Sequence, residues 1–222
     1  MMNFIPIFPL SLVVYPGEQL NLHIFEPRYK QLVNECAGHK KPFGIPVVIN
    51  NKVSEYGTVM ELEEIVKTYD NGEMDIRTRG LKVFRMLEIV PDVPDRLFGG
   101  AIVEYPDNRD LGSSDLMQKV LEAIGYLHKM LNVSKKFSMT GDQLRSYDVA
   151  HHAGLALEQE YELLCLMDEL QRQEYLRRHL QNVLPVVVEM ESLKEKVKLN
   201  GHFKNLSGFK FEDDLGDGST KL

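Results

Sequence analysis

The beginning of the chain constrains its fold more than any other segment. Residues 4–15 read Phe-Ile-Pro-Ile-Phe-Pro-Leu-Ser-Leu-Val-Val-Tyr and are almost wholly apolar, and the turn-forming pair Pro16-Gly17 follows them. A second apolar run begins at Leu20, and Pro27 stands where a proline suits the first turn of a helix. Apolar residues after it recur at helical spacing: Tyr29, Leu32, Val33 and Cys36. The sequence therefore predicts strand, turn, strand and helix in immediate succession.

The remainder of the first half is also rich in predicted strands, which cover residues 45–49, 57–69, 73–79, 83–89 and 101–105. Asn71-Gly72 lies between two of them, and this pair is the strongest short signal for a hairpin. Gly80 permits a bend or a bulge between the next two. Short strands with tight connections favour an antiparallel sheet curled into a partial barrel. We assign residues 1–108 to this β-rich part.

The second half has the periodicity of helices, and we assign residues 109–206 to a helical subdomain. An apolar stripe predicts one helix over residues 114–131, and another starts near Ser146 and ends at Gly154. A short helix covers residues 158–167, and Asp168 is placed to cap a long last helix that Pro185 should kink or break. Residues 207–222 are polar and glycine-rich, which predicts a loose tail. The predicted class is α+β, a β pseudo-barrel followed by a helical bundle.

Charge and cysteine usage exclude several functional classes. The net charge is −7 and neither half is basic, so a nucleic-acid partner is not expected. The start Met1-Met2-Asn3 lacks a basic leader, and no apolar run approaches the roughly 18 residues of a membrane span, so no membrane partner is expected. The two cysteines, Cys36 and Cys165, lie far apart. Their spacing favours reduced thiols and a cytoplasmic location.

A search for catalytic motifs finds none. The chain has neither a phosphate-binding loop that closes on Gly-Lys nor a Gly-x-Ser-x-Gly turn. The neighbours His151 and His152 would point about 100° apart on a helix, so we expect one exposed and one packed histidine, with Asp148 paired to either. We therefore predict no metal and no cofactor.

Charged residues on the predicted strands are expected to neutralise one another. Arg77, Arg79 and Arg85 have the same strand parity and could form a basic stripe. Glu61 and Glu63 on the neighbouring strand are placed to neutralise it. Solvated surface is the expected role of the acidic residues in the short helix: Glu158, Glu160 and Glu162.

Short motifs in a fixed order identify a family resemblance. Those of the β-rich half are Phe8-Pro9-Leu10, Tyr15-Pro16-Gly17, the run Leu-His-Ile-Phe-Glu-Pro-Arg-Tyr over residues 22–29, Tyr56-Gly57-Thr58 and Arg79-Gly80-Leu81. Those of the helical half are Ala153-Gly154-Leu155 and Leu163-Leu164, with Arg172 and Leu176 after them. Residues 4–105 resemble the β-domain of the Lon protease substrate-binding family, and residues 114–200 resemble its helical extension.

This resemblance implies a PUA-like fold and the recognition of polypeptides. Unfolded or substrate polypeptides are the implied partners, and the implied role is that of an adaptor or regulator in proteolysis or protein quality control, alongside a protease or chaperone. A full Lon protease also has an ATPase module and a Ser-Lys peptidase module, to which no part of this sequence corresponds. The resemblance thus implies a binding module that is not an enzyme.

Five residues form our predicted peptide-binding face: Tyr15, Pro16, Phe25, Arg28 and Tyr29. A purely structural interpretation stands beside it. In that interpretation Pro16-Gly17 sets a turn, Phe25 and Tyr29 pack the helix on the sheet, and Arg28 pairs with Glu26.

Two other functions stay open at this point. One is a hydrolase with a site between the β and helical parts, and the other is RNA or small-ligand binding, suggested by the PUA-like architecture alone. The groove between the sheet and the helices should distinguish them. An open apolar groove favours a peptide, and a closed polar pocket favours a small molecule.

Overall fold

The fold is a curled six-stranded sheet followed by a small helical bundle. The structure is a computed structural model that describes residues 3–39, 41–133 and 144–204, with no side chains described for residues 199–204. The strands are β1 (Asn3–Pro6), β2 (Gln19–Ile24), β3 (Phe43–Ile49), β4 (Lys52–Thr68), β5 (Met74–Val90) and β6 (Gly100–Glu104). The helices are α1 (Pro27–His39), α2 (Ser114–Met130), α3 (Ser146–Val149), α4 (Leu157–Leu164) and α5 (Glu169–Lys204), with a 3₁₀ turn (Ala150–His152) after α3. The predicted tail, residues 207–222, lies outside the described residues.

The sheet is antiparallel, as predicted, and its two ends meet. The strand order is β1-β6-β5-β4-β3, and β2 pairs with the first part of β5. Beyond β1 the chain runs parallel to β3: the Phe8 N–H donates to the Gly44 carbonyl at 2.8 Å, and the Val48 N–H donates to the Leu10 carbonyl at 2.8 Å. These bonds curl the sheet into the predicted pseudo-barrel. The parallel contact that joins its ends was not predicted.

The hairpin of β4 and β5 forms the long arm of the sheet. Its tip contains the predicted Asn71-Gly72 turn, with Gly72 at φ +76°. β5 continues through Gly80 as one strand with the predicted bulge, since Val59 pairs with Lys82 whereas Met60 pairs with Gly80. Leu81 is therefore the extra residue of the bulge.

Gly80 is also the point at which the first turn of the chain docks on the sheet. Its N–H donates to the Glu18 carbonyl and its carbonyl accepts from the Gly17 N–H, both at 2.8 Å. A Cβ atom at residue 80 would lie 2.4 Å from the Tyr15 carbonyl oxygen. Only glycine allows the two backbones to approach this closely.

The predicted helix after β2 is present as α1. It begins at Pro27 and buries the apolar residues that its periodicity selected, which are Tyr29, Leu32, Val33 and Cys36. They pack on the inner face of the sheet in a cluster with residues from β2 to β5. This confirms the predicted helix and the apolar positions that its spacing selected.

The long last helix is only partly as predicted. The Asp168 carboxylate accepts the Leu170 N–H at 3.0 Å, which confirms the predicted cap. Pro185 was predicted to kink or break this helix, and the break is wrong, because α5 runs without interruption to Lys204. Proline leaves the carbonyl of residue 181 without its helical donor. Gln181 and Pro185 are both exposed, so water can satisfy that carbonyl.

The helices of the second half, α2 to α5, pack on one another and on the sheet around one hydrophobic cluster. Ile124 of α2 and Leu176 of α5 are buried in it together with Val13, Tyr15 and Val83 from the β-rich part. The division at residue 108 remains a prediction, and the packing shows that the two sides share this cluster. Among the described residues, no helix has both the length and the apolarity needed to cross a membrane.

Candidate polypeptide-binding site at the junction of sheet and helices

Tyr15 is the centre of the contact between the two parts. Its side chain is buried, and its ring stacks on Tyr147 of α3 with the ring centroids 5.0 Å apart. Its hydroxyl donates to the Glu160 carbonyl of α4 at 3.1 Å. Burial, with the nearby charge of Glu160, raises the pKa of Tyr15 far above its usual value. The neutral phenol therefore fixes the Pro16-Gly17 turn against the helices.

His151 bridges the two parts with a pair of ionic hydrogen bonds. Nδ1 lies 2.7 Å from the Glu160 carboxylate and Nε2 lies 3.1 Å from the Glu18 carboxylate. Burial lowers the pKa of His151, but the hydrogen bonds to Glu160 and Glu18 and their charges outweigh it and raise the pKa to about 9. At neutral pH the imidazolium donates to both carboxylates.

Two of our predictions about these residues were wrong. Asp148 pairs with neither histidine, because its carboxylate accepts the Arg145 N–H at 2.8 Å and so closes the first turn of α3. Glu160 is not simply solvated surface, since it binds His151. His152 packs its ring edge-on to His128, with the centroids 5.6 Å apart, whereas His151 is the more exposed of the two histidines, as predicted.

A buried ion pair holds the other side of the junction. The Arg172 guanidinium and the Glu169 carboxylate are both about 99% buried, and two guanidinium nitrogens lie 3.0 Å from the same carboxylate oxygen. A third nitrogen donates to the Asn108 side chain and to the Leu166 carbonyl, each at 2.7 Å. The guanidinium also lies 4.2 Å from the centroid of the Tyr147 ring. All these partners are needed, because a buried charge is costly unless it is fully bonded.

Glu169 extends the same network to two more segments. Its carboxylate accepts the backbone N–H of Ser146 at 2.9 Å and the Ser146 hydroxyl at 2.6 Å. The neighbouring Gln173 accepts the Ser113 N–H at 2.9 Å. The network thus fixes residues 106–113, the start of α3 and the start of α5 relative to one another.

These elements enclose a groove of about 460 Å³ between the sheet and the helices. Its lining is Pro16, Leu81, Lys82, Val83, Tyr105, Pro106, Asp107, Asn108, Asp110, Arg145, Tyr147, Asp148 and Arg172. Charges of both signs therefore alternate with apolar and aromatic surface. The groove is therefore neither the open apolar groove expected for a peptide nor the closed polar pocket expected for a small molecule.

Two of the charges in the groove are available to a ligand. Among the side chains that the structure describes, Lys82, Asp107 and Asp148 have no salt-bridge partner, and of these Asp148 already accepts the Arg145 N–H. The Lys82 ammonium lies 3.6 Å from the centroid of the Tyr105 ring, which holds it at the wall of the groove. Arg145, in contrast, is paired with Asp110 at 3.1 Å.

The structure separates the five residues of the predicted binding face into two places. Tyr15 is buried at the junction, and Pro16 lines the groove. Phe25, Arg28 and Tyr29 lie at the start of α1, and Tyr29 belongs to a different hydrophobic cluster from Tyr15. The five residues thus do not form one continuous face, although the binding role assigned to each stays a prediction.

The residues at the start of α1 follow the structural interpretation in part. Tyr29 is buried and stacks on Phe8 with the centroids 3.8 Å apart, and Arg28 pairs with Glu26 at 2.7 Å. Phe25 differs, because it is 59% exposed and does not pack the helix on the sheet. Phe25 and Arg28 are therefore the members of the predicted face that a ligand could reach there.

The predicted basic stripe is neutralised across the sheet. Arg79 pairs with Glu63 at 2.5 Å, as predicted, but Arg77 pairs with Glu64 rather than with Glu61, at 2.9 Å. The reason is a bulge in β4 at residue 63, which places successive glutamates beside the arginines. A third pair joins Arg85 to Glu55 at 3.1 Å. Within residues 3–39, 41–133 and 144–204, no group of three potential metal ligands converges.

Of the residues that line the groove, Pro16 belongs to the predicted binding face, and Leu81 and Arg172 belong to the family motifs, but the two free charges were not predicted. Lys82 and Asp107 stand in no motif, so only the three-dimensional fold brings them together. Glu169 and Arg172 gave a weak signal, since their spacing of three residues on a helix permits an ion pair. That spacing does not reveal that the pair is buried.

Comparison with known proteins decides the family. The sequence model of the ATP-dependent protease La (LON) substrate-binding domain matches residues 5–182, most of the chain. The chain belongs to this family. The resemblance that the short motifs indicated is thereby confirmed.

Solved structures of Lon N-terminal domains share the fold. The Lon N-terminal domain protein from Xanthomonas campestris is 26% identical with a TM-score of 0.60, and the match covers 78% of this chain and 96% of that one. The N-terminal domain of the Mycobacterium avium complex Lon protease is 13% identical with a TM-score of 0.58, covering 81% of this chain and 98% of that one. The second likeness concerns the fold alone.

Proposed function

We propose that the chain is a non-catalytic polypeptide-binding module that holds a segment of another chain in the groove at the junction. The observation that carries the proposal is the groove itself, which combines a free cation, a free anion and apolar walls in a member of a substrate-binding family. A polypeptide offers all the matching groups: charged side chains, apolar side chains and backbone amides.

The rigidity of the walls supports this proposal. The Arg172–Glu169 network fixes the helical wall, and the Gly80 contact fixes the opposite one. A pre-formed groove loses little conformational entropy when it binds, so even a short segment can contribute to affinity. We expect individual segments to bind weakly, with dissociation constants on the order of 10–100 μM.

Adaptor or regulator function in protein quality control is the finer part of the proposal. It follows from family membership together with the absence of a recognised catalytic motif in the sequence. In this role the module would present polypeptides to a protease or chaperone in the cytoplasm. Pull-down of such a partner by the wild-type chain but not by a groove variant would support it.

The test uses a reduced and carboxymethylated, fluorescently labelled model protein as an unfolded probe. Lys82→Glu reverses the free cation of the groove, and Lys119→Glu makes the same change on the exposed face of α2. We expect fluorescence anisotropy to show about fivefold or greater weakening for the first variant and no change for the second, because only Lys82 faces the groove. Equal affinities for all three proteins would refute the groove as the site.

A further inference from the structure

The second half of α5 carries an apolar stripe that the rest of the described structure leaves uncovered. Val186, Met190, Leu193 and Val197 are each more than half exposed, from 53% to 69%. They follow one another at spacings of four, three and four residues, which is the pattern of a coiled-coil seam. We name these four residues the α5 seam.

The flanks of the α5 seam carry opposite charges on one side. Glu189 and Lys196 lie on the same edge of the stripe, one turn on either side of Leu193 in sequence. Neither has a salt-bridge partner among the described side chains, whereas Lys194, on the other edge, is bound by Glu191. The uncovered stripe thus has a free anion near one end and a free cation near the other.

We propose that the α5 seam binds the same seam of a second copy of the chain in antiparallel orientation. In that arrangement Val186 packs against the partner's Val197, and Met190 packs against the partner's Leu193. Glu189 then faces the partner's Lys196, and the two-fold symmetry produces this ion pair twice. All four side chains of the α5 seam, together with Glu189 and Lys196, are thereby matched.

Antiparallel pairing also agrees with where the bundle lies on α5. α2 packs against α5, and the fully buried residues of α5 in the shared cluster, Leu176 and Leu180, precede the seam, while the partly buried Val187 is packed against that cluster at the start of the seam. Antiparallel helices place the two bundles at opposite ends of the paired segment, so they do not compete for the same space. Parallel helices would bring the bundles side by side.

The seam is short, so the dimer should be weak and concentration-dependent. From Val186 to Val197 the helix rises about 16 Å at 1.5 Å per residue. Such a contact buries less than the roughly 1,200 Å² of a standard stable interface. We expect a dissociation constant on the order of 10–100 μM.

Sedimentation equilibrium of the full chain, from about 1 to 300 μM, tests this proposal across the expected range. Val197→Asp places a charge in the seam, and Val188→Asp makes the same change on the opposite face of the same helix. We expect the first variant to remain monomeric and the second to dimerise like wild type. A monomeric wild type, or equal dimerisation of both variants, would overturn the proposal.

Charge exchange tests the orientation. Glu189→Lys or Lys196→Glu alone should weaken the dimer about fivefold, since each juxtaposes like charges, and the double variant should restore it. A parallel dimer would instead bring Glu189 close to the partner's Lys194, so rescue of Glu189→Lys by Lys194→Glu would overturn the antiparallel assignment. Circular dichroism of each variant controls for the integrity of α5.

Discussion

His151 Nε2 lies 3.1 Å from the Glu18 carboxylate, although the two residues are 133 positions apart in the sequence. Glu18 belongs to the first turn of the β-rich part, and His151 belongs to the 3₁₀ turn of the helical part. The same imidazole also binds Glu160, so one protonated side chain is held by carboxylates from both sides of the junction.

Stability should depend on pH through His151. The pKa in the folded chain is raised to about 9 from an ordinary value of 6.5, so the folded state binds the proton more tightly. The stabilisation is fully present below pH 6.5 and is lost as the pH rises through about 9. The ring is partly exposed, so we expect about 1 kcal/mol. Urea denaturation of wild type and His151→Gln at pH 6 and pH 9.5 measures it.

The His151→Gln variant should be less stable than wild type at pH 6 and nearly equal to it at pH 9.5. Glutamine retains hydrogen-bonding capacity but has no proton to lose in this range. A difference between the two proteins that stays constant over the whole range would contradict an ionic role for His151.

Removal of one partner from the buried Arg172–Glu169 pair should be severe. Arg172→Met leaves Glu169 buried without its cation, and we expect a loss of about 3–5 kcal/mol in the free energy of unfolding. Glu169→Gln together with Arg172→Met removes both charges and should recover part of that loss. Urea titration of wild type, Arg172→Met, Glu169→Gln and the double variant provides the comparison, and additive effects of the two changes would show that the residues are not coupled.

Gly80→Ala should disrupt the docking of the first turn. The new methyl group would lie 2.4 Å from the Tyr15 carbonyl oxygen, which is backbone and cannot move aside freely. We expect a loss of about 2–4 kcal/mol. Gly38→Ala is the matched control, since it meets no atom within 4 Å in α1 and should be neutral or stabilising by up to about 1 kcal/mol. Equal thermal melting temperatures for both variants would contradict the close approach at Gly80.

The exposed part of the predicted binding face can be tested separately from the groove. Phe25→Ser changes a side chain that is 59% exposed, so stability should change by less than about 0.5 kcal/mol. If the start of α1 assists binding, the affinity for the unfolded probe should fall about threefold to tenfold. Unchanged affinity would limit the site to the groove, and a large loss of stability would show that the ring packs more tightly than its exposure indicates.

The strands and helices could be predicted from the sequence because local chemistry dictates them. Asn71-Gly72 forms the turn of the predicted hairpin, and Pro27 begins α1, because both signals act on the backbone of adjacent residues. The break predicted at Pro185 was wrong because the cost of a proline within a helix depends on whether water reaches the carbonyl that has lost its donor, here that of residue 181. That access is a property of the folded surface. The parallel contact of Phe8 with Gly44 likewise depends on how the whole sheet curls.

The site was harder to predict than the fold. Tyr15 was identified from a family motif as part of a binding face, yet its ring is buried between the two parts. Apolar character alone does not distinguish a residue that packs a junction from one that contacts a ligand. Lys82 and Asp107 are ordinary charged residues in the sequence, and only the convergence of separate elements gives them a shared groove.

Hydrogen–deuterium exchange with the unfolded, carboxymethylated probe tests the central claim most directly. Binding in the groove predicts slower exchange in residues 81–83, 105–110 and 145–148, which form its walls, with β1 and the exposed face of α2 unchanged. The same protection should be weaker in Lys82→Glu, in line with its lower affinity. Binding in the groove would be contradicted if slower exchange were confined to other segments. It would also be contradicted if exchange did not change at probe concentrations near 100 μM, where weak specific binding is populated.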